Sequence, residues 1–169
     1  MAEMFKLFVL LIFLAIPTVS SAGVTIHFSG KVANASNVKQ VLGAAQGYAT
    51  ARKWKVDTIH GGIKIYPHEW CEPIKLTFRG NILTEDFVKT QFAGPEIHKE
   101  VIGLFRVIKP MMARLSVEDE GEYWETNDFK KLKANIDKCN EVMKKHKADN
   151  PRLRGPNKLS NGLIVDLFE

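Results

Sequence analysis

Two loops in this chain hold the side chains best suited to chemistry. The first is Pro67-His68-Glu69-Trp70-Cys71-Glu72-Pro73. His68 and Cys71 stand three positions apart and can face one ion, with Glu72 beside them and His98 as a further ligand from elsewhere in the chain. Thiolate, imidazole and carboxylate donors together suit zinc. The same residues offer a second chemistry, with Cys71 as nucleophile and His68 or His98 as its base. A lone H-x-x-C pair is not a complete zinc motif, which needs a second pair at proper spacing. The plain alternative is structural: His68 caps a turn, Cys71 fills a small space, and Glu72 pairs with a lysine such as Lys75.

The second loop is Asp119-Glu120-Gly121-Glu122-Tyr123-Trp124-Glu125. Its carboxylates can ligate calcium or magnesium, or act as acid and base. The calcium-loop pattern D-x-[DN]-x-[DN]-G is absent. Exposed Tyr and Trp are frequent anchors of protein interfaces, so Asp119, Glu120, Glu122, Tyr123 and Trp124 form a candidate partner-binding patch. In the structural alternative Gly121 makes a turn, Tyr123 and Trp124 pack over the sheet edge, and Thr126, Asn127 or Asp128 caps the next helix.

Alternation and periodicity supply the elements that position these loops. Val24, Ile26 and Phe28 share one face of a first strand. A helix from about Ser36 to Lys53 carries Val38, Val41, Leu42, Ala45 and Ala49 as its apolar stripe. Gly43 and Gly47 weaken it by roughly 1 kcal/mol each, a cost expected to be offset by close approach to a sheet. A weak strand near Trp54–Ile59 precedes Ile63–Tyr66. Ile74–Phe78 turns at Gly80-Asn81 into a return strand expected to reach Phe92. Gly94-Pro95 opens a helix carrying Ile97, Val101, Leu104, Phe105 and Ile108, since proline's missing N–H costs nothing in the first turn. A strand near Ala113–Glu118 leads through the acidic loop to a helix over about Asp128–Lys147. There Phe129, Leu132, Ile136, Cys139 and Met143 recur at helical spacing. Residues Asn150–Asn161 read as a linker, and Gly162–Phe168 as a final short strand. The mixture of hairpins and helices predicts a single-domain α+β fold, a mostly antiparallel mixed sheet with helices packed on one face.

The N-terminus has a different character. Leu7–Ile16 is an unbroken apolar run of ten residues, followed by Pro17 and by small residues at Ser20 and Ala22. This is the layout of a secretory signal peptide over 1–22, cleaved after Ala22. The run is shorter than the roughly 20 residues that span a bilayer. The predicted organisation is therefore a signal peptide at 1–22, an α+β domain over 23–147, and a linker with a terminal strand over 148–169, with no transmembrane segment in the mature chain. Secretion or delivery to the periplasm follows. The alternatives are an uncleaved membrane anchor or a cytoplasmic chain. In an oxidising compartment Cys71 and Cys139 can form a disulfide, which would remove the thiol from any site.

The 169 residues carry a net charge of +5. Phe129–Lys158 holds ten Lys/Arg against three Asp/Glu, and Ser116–Asp128 holds six acidic residues and no basic one. The basic stretch lacks interleaved aromatics and any nucleic-acid-binding motif, so no nucleic-acid partner is expected. Lysines on the outer side of the last helix read as a solvated face, or as contact with an anionic membrane or acidic partner. No phosphate-binding glycine loop, dinucleotide fingerprint, zinc-protease helix or serine-nucleophile elbow occurs.

Three runs, Pro67–Pro73, Phe87-Val88-Lys89-Thr90-Gln91-Phe92-Ala93-Gly94-Pro95-Glu96-Ile97-His98 and Val117–Thr126, resemble a group of small bacterial proteins of unassigned function, over most of Val24–Lys147. The resemblance implies no activity. The expectation is an exported, non-catalytic interaction module with a protein partner. The alternative is a metal-dependent or cysteine-dependent hydrolase built on His68, Cys71 and Glu72 with His98. Neither reading specifies a cofactor.

Overall fold

A computed structural model describes residues 23–169; the signal-peptide expectation for 1–22 lies outside the described residues. Six strands form one antiparallel sheet: β1 (Thr25–Lys31), β2 (Lys55–Ile59), β3 (Gly62–Tyr66), β4 (Ile74–Arg79), β5 (Ile82–Lys89) and β6 (Arg114–Asp119), in the order β2-β3-β4-β5-β1-β6. The first strand thus lies inside the sheet, between β5 and β6. The helices are α1 (Val38–Ala51), α2 (Pro95–Ile108), the single turn α3 (Tyr123–Thr126) and α4 (Phe129–Asp149). They cover one face. Ile26, Phe28, Ile65, Ile74, Leu76, Leu83 and Val88 of the sheet are buried with Val41, Ala45, Val101, Phe105, Leu132 and Ile136 of the helices in one core. This is the α+β class read from the sequence.

Four local expectations change. Gly43 and Gly47 do not mark a close approach: both are exposed, and a Cβ at either would meet nothing within 4 Å. The tight helix contact is at Gly103 of α2, where a Cβ would fall 2.1 Å from the Tyr48 hydroxyl, which itself donates to the Glu100 carbonyl at 2.8 Å. The return strand stops at Lys89 rather than Phe92. Beyond it the Gln91 side chain replaces the ladder, its Oε1 accepting from the Val24 N–H at 3.1 Å and its Nε2 donating to Asn140 at 2.9 Å. The acidic loop contains α3, bracketed by Glu122 and Asn127 with positive φ. The last apolar run pairs only at β8 (Ile164–Val165), with β7 (Asn157–Lys158) drawn from the expected linker.

Three contacts strap this C-terminal hairpin to the sheet. Glu72 Oε1 accepts from the Ile164 N–H at 2.8 Å. Lys89 pairs with Asp166 at 2.8 Å. Lys158 donates to the carbonyls of Glu69 and Cys71. Among the described residues no helix is long and apolar enough to cross a membrane.

Candidate functional site

The structure divides the four residues of the proposed metal or nucleophile site into separate roles. His68 is exposed, and its Nδ1 accepts from the Trp70 N–H at 3.1 Å. Cys71 is buried, and its Sγ donates to the Glu72 carbonyl at 3.2 Å. Burial, reinforced by the Glu72 charge and only opposed by Lys158, pushes the Cys71 thiol well above its ordinary range. The thiol is also closed off from solvent, with 1% of the residue exposed. Glu72 is buried and, among the described residues, pairs with no lysine. Its Oε2 accepts from the Lys89 N–H at 2.9 Å while Oε1 holds Ile164. Lys75 instead faces Asp86 at 3.9 Å. Both cysteines are free, with no Cys71–Cys139 bridge. Among the described residues no group of three or more His, Cys, Asp and Glu side chains is arranged to hold a metal ion.

His98 belongs to a different constellation. Gly94, at φ 88°, and Pro95 start α2 and place His98 in its first turn. The ring is fully buried, with Nδ1 2.7 Å from Thr90 Oγ1 and Nε2 3.0 Å from Asp119 Oδ1. Nε2 makes no hydrogen bond of good geometry among the described residues, the Asp119 oxygen being its near neighbour. Asp119 also accepts from the N–H groups of Gly121 at 2.7 Å, Tyr123 at 2.8 Å and Trp124 at 2.9 Å. Burial alone would raise the Asp119 carboxyl. His98 and the Trp124 and Gly121 N–H groups outweigh it and hold the group below the usual carboxylate range. Gly121 is required by closeness, since a Cβ would lie 2.7 Å from Leu132 Cδ1 and 2.9 Å from His98 Cε1.

Hydroxyl, imidazole and carboxylate in this order make an acid–base chain of the kind that activates a nucleophile. Here Thr90 and His98 are both completely buried, so no substrate reaches the hydroxyl. Thr90 Oγ1 also lies 3.4 Å from the Val24 carbonyl. The chain joins the starts of β1 and α2 to the ends of β5 and β6, and it gives the buried Thr90 hydroxyl, His98 Nδ1 and Asp119 carboxylate polar partners inside the core.

The acidic-aromatic patch is likewise split. Asp119 and Tyr123 face inward. Glu122 pairs with Lys131 and accepts from Asn135. Trp124 is half-buried beneath Arg106 and Lys109. Glu120 is exposed, and its Oε2 accepts from the Thr25 N–H at 2.8 Å.

Glu120 also lines the most suggestive groove of the molecule, about 370 Å³, formed by Thr25, His27, Phe87 and Lys89 of the sheet and by Leu159, Leu163, Ile164 and Val165 of the C-terminal hairpin, with Glu72 below. Phe87 and Leu159 are each 40% exposed there, and the His27 and Phe87 rings lie 5.8 Å apart. His27 also lines a smaller polar hollow of about 120 Å³ with Ser29, Glu85, Ser116 and Glu118. A larger furrow of about 490 Å³ runs between α4 and Gly155-Pro156. Its walls include the long side chains of Glu141, Lys144 and Lys147, which water solvates readily, whereas the sheet groove has a mainly apolar lining. Sequence reasoning named Glu120 but missed His27, Phe87 and Leu159. The polar side of the first strand, opposite Val24, Ile26 and Phe28, was the signal for His27. Nothing local marks Phe87 or Leu159, because the groove exists only once the C-terminus folds back.

No family model, no curated protein and no solved structure matches this chain.

Proposed function

We propose that this protein is an exported, non-catalytic binding module that holds a protein partner through the sheet groove at Phe87. The observation that carries the reading is the exposed pair Phe87 and Leu159, facing each other across a groove between the sheet and the C-terminal hairpin. A rigid aromatic in a concave apolar seat is the usual anchor point of an interface, and it costs little side-chain entropy on binding. Glu120 brings the acidic-aromatic loop to the rim of the same groove. The burial of Thr90, His98 and Cys71 favours this reading over the hydrolase.

Site-specific photo-crosslinking tests it. A photoreactive side chain replacing Phe87 should capture a discrete partner from the native compartment. The same group replacing Val107, an exposed apolar residue of α2, should not. Equal capture from both positions, or none from position 87, would overturn the reading. Export is tested by sequencing the mature chain, which should begin at Gly23; an intact Met1 on the purified protein would contradict it.

A further inference from the structure

The groove at Phe87 does not end in neutral surface. His27 belongs both to the groove and to the adjoining hollow with Glu85 and Glu118. Glu118 stands opposite His27 in the β1–β6 register, and Glu85 sits where β5 bulges against β1. Glu120 closes the rim near Thr25. Among the described residues none of these three carboxylates lies within 4.0 Å of a lysine, arginine or histidine nitrogen. Lys89, the lysine lining the groove, is neutralised by Asp166 at 2.8 Å. Glu85 also lines a second hollow with Lys31 and Arg114 on its far side, but on the groove side an acidic rim without a close ion-pair partner borders an apolar seat, on a chain whose net charge is +5.

We infer that the partner segment is an extended peptide presenting an aliphatic or aromatic side chain flanked by lysine or arginine. This rests on the binding-module reading above and adds the chemistry of the occupant. The apolar side chain sits between Phe87 and Leu159. In an extended segment the next side chain on the same side lies roughly 7 Å along, which carries a cation from the seat past His27 to Glu85 and Glu118. An acidic segment is repelled by the rim, and a neutral apolar one brings no cation to the three carboxylates.

The test uses the full mature chain and three capped pentapeptides: Lys-Ser-Leu-Ser-Lys, which puts the leucine and both lysines on one side of an extended segment, the same with glutamate for both lysines, and the same as the first with serine for the leucine. Binding is read from amide shifts in two-dimensional NMR. The lysine–apolar peptide should shift His27, Phe87 and Leu163, and bind at least about tenfold more tightly than either control. Its affinity should fall severalfold as ionic strength rises to about 1 M, where charges are screened within about 3 Å. The double variant Glu85→Gln/Glu118→Gln, which leaves the core intact, should lose about as much as the serine peptide does. Equal binding of the glutamate peptide, shifts confined to α4, an unaffected double variant, or no binding would each overturn the inference. So would sedimentation showing that a second copy of this chain fills the groove, or shifts produced by anionic phosphatidylglycerol vesicles in place of the peptide. If the peptide fails while photo-crosslinking at position 87 still captures a partner, the occupant's chemistry is wrong and the binding module stands. If crosslinking fails as well, both fall.

Discussion

At the scale of single residues, Asp119 does more for the fold than its place in an acidic loop suggests. One carboxylate accepts from three backbone N–H groups and faces the buried His98 ring. Its folded value is depressed below the ordinary 3.8. The linkage sign follows: Asp119 stabilises the fold fully above that ordinary value, and the contribution is lost as pH falls through the depressed one. Asp119→Asn turns an amide donor toward backbone donors, at about 1–3 kcal/mol for each N–H left stranded. Urea titrations should show the variant less stable at pH 7, with the wild-type margin narrowing below about pH 4. A margin independent of pH would mean that the carboxylate charge is not what holds the turn. The sequence named Asp119 and His98 but put them in different sites. Thr90, the third member, carries no local signal, because a threonine ending a strand is ordinary until an imidazole packs against it.

Among the elements, α4 was the most legible. Its apolar spacing of three and four places a stripe on one side at 3.6 residues per turn, and Leu132, Ile136 and Met143 are buried as that spacing requires. Phe129 and Cys139, at the stripe's margins, are only half-buried. Ile136→Ala should cost about 2–5 kcal/mol in chemical denaturation. Lys145→Ala, on the solvated side, should leave the midpoint unchanged. Equal losses at both positions would place the helix in the wrong phase. The α1 glycines were misread because a small residue shows that a gap is tolerated without showing what fills it. The close contact instead falls at Gly103, opposite a tyrosine 55 positions earlier. Strand ends were also blurred, since Gln91 stops β5 with side-chain hydrogen bonds to partners distant in the chain.

For the whole molecule, the C-terminal hairpin decides whether the groove exists. Glu72 holds it through one buried carboxylate that binds Lys89 and Ile164 backbone N–H groups together. Glu72→Gln replaces one acceptor by a donor, so the hairpin should loosen. Brief trypsin treatment should then cut after Arg152, Arg154 or Lys158 faster than in the wild type, while the core beyond them persists. An unchanged rate would assign the latch to Lys89–Asp166 and the Lys158 contacts. The sequence by itself determined the α+β class, the apolar faces and most element positions, because those depend on side-chain periods within a short stretch of chain. It also marked the contrast between an acidic loop and a basic helix. Tertiary structure alone decided that His98 meets Thr90 and Asp119 rather than Cys71, that Glu72 serves as a latch, and that Phe87, Leu159 and Glu120 share one groove. Those outcomes depend on which segments meet after long loops close, and that is set by the summed packing of the sheet, helices and tail rather than by any local pattern.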